Sequence, residues 1–248
     1  MTDHLDTPEG RRLAYHRLPG RGPGVVFLGG FRSDMSGTKA MFLQDWAQRS
    51  GRAFLRFDYS GHGASSGSFE DGAIGDWAAD ARAAIGALTE GPQVIVGSSM
   101  GGWIALLIAR DMPDRVAGLV TIAAAPDFTE RGYWAGFSEG QRDLLLREGR
   151  IALPSDYDDQ PYVITRRLIE EGRDNLVMEA PLRLKFPVRM LQGSADVDVP
   201  IAWALDLLDH AEGDDLRLTI VKGADHRFST PDCLALMARQ IEDVVGRT

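Results

Sequence analysis

Val94-Ile95-Val96-Gly97-Ser98-Ser99-Met100-Gly101-Gly102 is the stretch whose reading decides the fold of this chain. A β-branched run enters it, and an apolar, glycine-led stretch over residues 102–109 leaves it. Gly97-Ser98-Ser99-Met100-Gly101 has the form Gly-x-Ser-x-Gly. Such a run makes a tight strand-to-helix turn, because the two glycines leave room for a strained backbone and the middle serine lifts its Oγ above the sheet at a helix N-terminus. Ser99 is therefore the candidate nucleophile. Ser98 lacks the flanking glycine frame and reads as a structural hydroxyl.

Outward from this turn, strand-like runs and helical patterns alternate. Residues 24–28 precede a helical pattern over 35–49, 53–57 precede 74–88, and 94–96 precede 100–110. A sixth strand runs over 116–123; after a gap come strand 188–191, helix 201–210, strand 216–221 and helix 231–245. An opening hairpin is read over residues 12–18. Strands apolar on both faces and joined by helices predict an α/β fold, a mostly parallel sheet covered by helices on both faces. The gap differs in character: Phe128, Tyr133, Trp134, Phe137, Tyr157 and Tyr162 stand among charged residues, with helical patterns over 139–150 and 162–172 and no convincing strand. It predicts a small helical cap, residues 126–187, inserted after the sixth strand into a core formed by 1–125 and 188–248. Its aromatic residues serve either as the seam that packs the cap or as an apolar acyl site, for which Trp134 and Phe137 are the candidates.

The 248 residues, 44% of them hydrophobic, are enough for one sizeable core. A net charge of -9 argues against nucleic acid or an anionic membrane surface as the main partner. Cys233 is the only cysteine, which excludes a disulfide within the chain. Met1-Thr2-Asp3-His4-Leu5-Asp6 is acidic and lacks an apolar run, so neither a signal peptide nor a transit peptide is read there; no segment is apolar for long enough to span a bilayer. The expectation is a cytoplasmic protein with no stable membrane anchor. No His, Cys and carboxylate cluster has the spacing of metal ligands, so neither a metal nor another cofactor is expected.

A serine hydroxyl needs a base to take its proton, and the base needs a carboxylate to hold one tautomer. Asp196 lies in Gln192-Gly193-Ser194-Ala195-Asp196, just past one strand, and His226 lies in Gly223-Ala224-Asp225-His226, just past the next. Both follow Ser99 in the chain and both fall at the carboxyl end of a strand, where ligands bind in parallel sheets. Asp198 is the alternative acid, farther from its strand end, and Asp225 reads as a turn residue. His62, in Asp58-Tyr59-Ser60-Gly61-His62-Gly63, reads as part of a glycine-rich loop near the site. An oxyanion needs two backbone donors: the Met100 N–H follows the nucleophile, and the Phe31 N–H in Gly29-Gly30-Phe31 lies in the loop after the strand ending at Leu28.

These residues carry a resemblance. The order Ser, Asp, His and the stretches Gly30-Phe31-Arg32-Ser33-Asp34-Met35-Ser36-Gly37-Thr38-Lys39-Ala40, Arg56-Phe57-Asp58-Tyr59-Ser60-Gly61, Gly91-Pro92-Gln93, Val96 to Trp103 and Asp225-His226-Arg227 resemble the α/β-hydrolase serine esterases. Within these the chain is most similar to small mitochondrial-type acyl-protein (palmitoyl) thioesterases and mycophenolic acid acyl-glucuronide esterases, with a looser match at Leu153-Pro154-Ser155-Asp156-Tyr157. The resemblance implies Ser99, Asp196 and His226 as the triad. Gln192-Gly193 stands where a His-Gly is usual, and the missing transit peptide points to a bacterial cytoplasmic relative. The expected activity is hydrolysis of carboxylic esters or thioesters through an acyl-enzyme on Ser99, with a small-molecule acyl ester or thioester, or an S-acylated protein, as partner. Lipases, peptidases and carbon–carbon bond hydrolases share the triad and stay open as alternatives, as does a binding protein that keeps the fold without the chemistry.

Overall fold

In chain order the elements are β1 (Asp3–Asp6), β2 (Arg12–Leu18), β3 (Arg21–Leu28), α1 (Thr38–Ser50), β4 (Arg52–Phe57), α2 (Ile74–Leu88), β5 (Gln93–Ser98), α3 (Met100–Asp111) and β6 (Val116–Ile122). Then follow α4 (Glu139–Glu148), β7 (Arg150–Leu153), β8 (Tyr162–Thr165), α5 (Arg166–Arg173), β9 (Leu182–Arg183), β10 (Val188–Gly193), α6 (Ile201–His210), β11 (Ala211–Glu212), β12 (Leu216–Val221) and α7 (Pro231–Val245). The structure is a computed structural model and describes residues 2–154 and 161–248. Tyr157 and the Ser155-Asp156-Tyr157 part of the looser match lie outside the described residues.

One eight-stranded sheet runs in the order β1-β2-β4-β3-β5-β6-β10-β12. β1 with β2, and β2 with β4, pair antiparallel, and every pair from β4 to β12 is parallel. Period-two alternation sorts the strand side chains onto two faces. Val26, Leu28, Leu55, Phe57 and Ile95 pack with α2 and α3, while Val25, Phe27, Phe54, Val94 and Val96 pack with α1 and α7. This two-sided burial is why the central strands read as continuous apolar runs. Sequence order departs in both directions from β3: β4 lies on one side of it and β5 on the other. The crevice beyond the carboxyl ends of β3 and β5 is thus a topological switch point, and the Gly29-Gly30-Phe31 loop and Ser99 both lie there.

Helix α1 starts at Thr38 rather than at Met35 as the periodicity predicts. The Asp34 carboxylate accepts from the Ser36 N–H (2.7 Å), its carbonyl accepts from the Gly37 N–H (3.2 Å), and the Met35 N–H is taken by Asp58 (2.6 Å). This local turn uses the donors a helix would need to begin earlier.

In the segment 126–187, Phe128 and Asn175 lie against α3, whose residues 100–109 are all buried. The Trp103 indole N–H reaches out of α3 to the Asn175 carbonyl (3.0 Å). Buried Asp127 fastens one end of the segment to the other: its carboxylate accepts from the Val177 N–H (2.9 Å) and the Met178 N–H (3.0 Å). The segment is not wholly helical, which corrects the reading of 162–172 as one helix. Tyr162-Val163-Ile164-Thr165 is a β-branched and aromatic run, and it pairs antiparallel with β7. The Thr165 hydroxyl then accepts from the Leu168 N–H (3.1 Å) and starts α5 as its N-cap.

Candidate active site

Gly97 and Gly101 make the turn between β5 and α3 sterically feasible. A Cβ on Gly97 would collide with the Gly101 carbonyl, and one on Gly101 would collide with the carbonyls of Leu28 and Gly29. Between them Ser99 holds φ 55 and ψ -119, outside the regions an L-residue normally occupies. Surrounding hydrogen bonds impose that conformation: the Ser99 N–H donates to the Ile122 carbonyl (2.9 Å), and the Ser99 carbonyl accepts from the N–H groups of Gly102 (2.8 Å) and Ala125 (3.2 Å). The hydroxyl is thereby raised at the first turn of α3.

His226 follows β12 and meets Ser99: its Nε2 lies 3.0 Å from the Ser99 Oγ, and its Nδ1 lies 2.9 Å from Asp196 Oδ2. With Nδ1 donating to the carboxylate, Nε2 is left as the acceptor for the serine proton. Asp196 Oδ1 accepts from the N–H groups of Asp198 (3.0 Å) and Val199 (2.9 Å), and Oδ2 accepts from His226 and from the Gln192 amide (3.0 Å). Burial pushes the Asp196 carboxyl up, but the hydrogen bonds from His226, Val199 and Asp198 outweigh it and hold the group below its ordinary range. The acid and base loops are sewn together beneath the site: Ser194 N–H to the Val221 carbonyl (2.9 Å), Ala195 N–H to the Ala224 carbonyl (2.9 Å) and Gly223 N–H to the Ser194 Oγ (2.8 Å). On the other side of His226, Lys39 Nζ donates to the Arg227 carbonyl (2.5 Å), and burial lowers that lysine to about 8.

The serine and the histidine open into a cavity of about 730 Å³. Phe31, Phe128, Tyr133, Tyr162 and Trp203 are aromatic residues of its lining, and Thr38, Lys39 and Ser229 are among its polar ones. Met100 and Phe31 both line it; Met100 is the first residue of α3, so its N–H has no acceptor within the helix. The Phe31 loop runs against the turn, a Cβ on Gly30 lying 3.4 Å from the Ser99 Cβ. The Phe31 ring packs against Phe69 at 4.8 Å, Phe128 at 5.5 Å, Trp77 at 6.0 Å, Tyr162 at 6.1 Å and Tyr133 at 6.4 Å between centroids.

The structure brings Ser99, His226, Phe31 and Met100 to one cavity, sets Asp196 behind His226, and does not bring Trp134 or Phe137 to the cavity lining. Trp134 lies under the guanidinium groups of Arg173 (4.8 Å) and Arg142 (5.2 Å), and Phe137 is buried and stacked on Tyr133. These two belong to the packing seam, and the cavity wall is made by their neighbours Phe128, Tyr133 and Tyr162. Asp198 offers Asp196 its backbone N–H and sets its own side chain on the cavity lining. Asp225 is a turn residue, accepting from the Phe228 N–H (3.1 Å). His62 is buried in a nest of Tyr59, Phe69 and Trp77, donates from Nδ1 to the Ser60 carbonyl (3.1 Å) and stays off the cavity lining. Burial lowers its pKa, which favours the neutral ring. Contrary to the spacing argument, Asp196, Asp198 and His226 do place ligand atoms within 4.8 Å of one another. Chain spacing missed this trio because two loops from different strands bring it together. Asp196 already accepts four hydrogen bonds, which leaves it no lone pair for an ion. Lys39, Ser194, Val197 and Trp203 have no motif of their own and were not legible as site residues.

The description of the Alpha/beta hydrolase family matches residues 25–245. Over 244 residues the chain is 34% identical to a protein of Rattus norvegicus named palmitoyl-protein thioesterase ABHD10, mitochondrial, covering 98% of this chain and 82% of that one. The crystal structure of a putative hydrolase from Agrobacterium vitis S4 superposes with a TM-score of 0.94 at 38% identity, covering 99% of this chain and 98% of that one. Alpha/beta hydrolase domain-containing protein 10 from mouse superposes with a TM-score of 0.92 at 33% identity, with the same coverage. The rat, cattle and mouse relatives are all named mitochondrial, which overturns the cytoplasmic expectation. That expectation rested on the charge and polarity of six residues, which do not determine a compartment. Among the described residues no helix is long and apolar enough to cross a membrane. The switch-point position of the strained serine turn, the parallel sheet around it and a match spanning nearly the whole chain lead to one conclusion: this chain belongs to the Alpha/beta hydrolase family.

Proposed function

We propose that this protein is a serine hydrolase that cleaves acyl thioesters and esters through an acyl-enzyme on Ser99. The observation that carries the reading is the continuous chain Ser99 Oγ, His226 and Asp196, at 3.0 and 2.9 Å, opening on a cavity with an aromatic wall. His226 Nε2 takes the Ser99 proton as Oγ attacks the acyl carbon, and the imidazolium that forms is stabilised by Asp196. The N–H groups of Met100 and Phe31 receive the developing oxyanion, with the N-terminus of α3 adding its partial positive charge. His226 then protonates the leaving thiol or alcohol, and a water repeats the sequence on the acyl-enzyme. Residues 126–187 act as the cap unit: Phe128, Tyr133 and Tyr162 from this segment receive the acyl group.

The similarity to a rat palmitoyl-protein thioesterase supports S-acylated protein or a small acyl thioester as substrate. A thiolate leaves more readily than an amine, so it asks less of the acid role of His226. Incubation with a fluorophosphonate is expected to label Ser99, and acyl thioesters are expected to be hydrolysed far faster than amides of the same acid. Absence of Ser99 labelling in the folded protein would refute the assignment, and equal rates on thioester and amide would refute the substrate class.

A further inference from the structure

Gln192, the residue at which the chain departs from the usual His-Gly, is the penultimate residue of β10 and has no exposed surface. Its Nε2 donates to Asp196 Oδ2 (3.0 Å) and to the Val199 carbonyl (2.9 Å), with the Gly193 carbonyl farther off at 3.5 Å. Acceptors around one amide nitrogen fix its orientation, since a flip would set oxygen against oxygen. The fixed orientation leaves the buried Oε1 without a hydrogen-bond partner among the described residues. A buried carbonyl without a partner costs stability, and an apolar side chain of the same shape would avoid that cost. Packing therefore does not account for an amide here, and what its two N–H groups hold does.

The oxygen held by Gln192 is the one that accepts from His226 Nδ1. With the two backbone N–H groups on Oδ1, the carboxylate has no freedom to rotate, and the bond to Val199 closes the acid loop back onto its strand. We infer that Gln192 is a positioning residue, an uncharged clamp that fixes Asp196 Oδ2 opposite His226 Nδ1 and through it aims the imidazole at Ser99. This rests on the reading of Ser99, His226 and Asp196 as catalytic. An amide suits the task because it has no proton to gain or lose near neutral pH, so the clamp holds across the range in which His226 works. An imidazole at the same place would add a second titrating group against the acid.

A double-mutant cycle with Asp196→Asn tests the inference. Gln192→Met keeps the shape and removes both donors; it is expected to lower kcat about tenfold and to change KM less than about twofold. In the Asp196→Asn background the same substitution is expected to change kcat less than about twofold, because there is no longer a carboxylate to aim. The low-field proton resonance of the His226 Nδ1–H is expected to move in Gln192→Met. Gln192→His, which restores a donor, is expected to recover most of kcat and to add an ionisation to the pH profile. If Gln192→Met does not fold, Gln192→His decides: a wild-type pH profile, with no added ionisation, overturns the inference. So does wild-type kcat in a folded Gln192→Met, or an equal loss in both backgrounds. A wild-type rate for Asp196→Asn alone instead removes the catalytic reading beneath it, which separates that failure from failure of the clamp.

Discussion

The turns at the carboxyl ends of the parallel strands and the aromatic residues Phe128, Tyr133 and Tyr162 line one cavity, and they are held by different forces. On the turn side every position is set by hydrogen bonds: Ser99 is kept at φ 55 by its backbone partners, and Asp196 is surrounded by donors. On the other side Phe128, Tyr133 and Phe137 pack as edges, faces and stacks, and Trp134 is covered by two guanidinium groups. Each such ring pair contributes about 0.5–1.5 kcal/mol beyond area burial and tolerates small displacements. Proton transfer does not tolerate them, since it needs its groups within hydrogen-bond reach. In the proposed reaction, directional bonds therefore sit where bonds are to be broken, and non-directional packing where an acyl group is to be received. Phe31 belongs to both sides, its backbone beside the serine turn and its ring at the centre of the aromatic wall.

The comparison breaks most sharply at Ser99. Ser99→Ala is expected to lower kcat on the order of 10⁴-fold or more with an unchanged circular dichroism spectrum, and Ser99→Gly to be as inactive but more stable by about 1–3 kcal/mol, because glycine accepts the positive φ without strain. A chemical denaturation midpoint for Ser99→Gly no higher than the wild type would show that the turn stores no strain. Next in size, Asp196→Asn is expected to cost about 10⁴-fold in kcat by presenting the wrong histidine tautomer, and Asp198→Asn less than about tenfold. Kinetics that rank these two in reverse would move the acid to Asp198.

On the packing side the effects are smaller and fall on specificity. Each buried methylene is worth up to about 0.8 kcal/mol, so kcat/KM is expected to climb with acyl chain length until the cavity is filled. Tyr133→Ala is expected to flatten that climb. Trp134→Ala, off the cavity, is expected to keep the slope and to lower the melting temperature instead. Loss of the slope in Trp134→Ala alone would return the acyl site to the seam. The smallest effect concerns Lys39, lowered by burial to about 8 from an ordinary 10.5. Between those pH values the unfolded chain holds a proton that the native chain has released, so unfolding takes up a proton and stability rises with pH. The melting temperature of the wild type is thus expected to gain on that of Lys39→Met between pH 8 and 10.5, and a constant difference would show that the half-buried lysine keeps its ordinary proton affinity in solution.

Much of this molecule was legible in the chain. The β-branched run into Gly97, the two glycines around Ser99 and the spacing of Asp196 and His226 behind their strands are local signals, and local backbone sterics enforce them wherever the chain places them. The bounds of α2, α6 and α7 likewise follow from periodicity, since one face of each is buried. Tyr162–Thr165 falls within a helical pattern although its β-branched composition favours a strand, and only pairing with β7 settles it. The aromatic residues of 126–187 share one composition, and nothing in it separates Tyr133, on the cavity, from Trp134, beneath two arginines. Lys39 and Gln192 acquire their roles from Arg227 and Asp196, partners supplied by loops that meet only in the folded protein. The sequence by itself determined the sheet, the strained serine turn and the placing of Asp196 and His226 behind their strands, because these depend on backbone sterics and on the burial of one face at a time. Tertiary structure alone decided which rings form the cavity and which amide holds the acid, because contacts between distant loops are set by the packing of the whole chain.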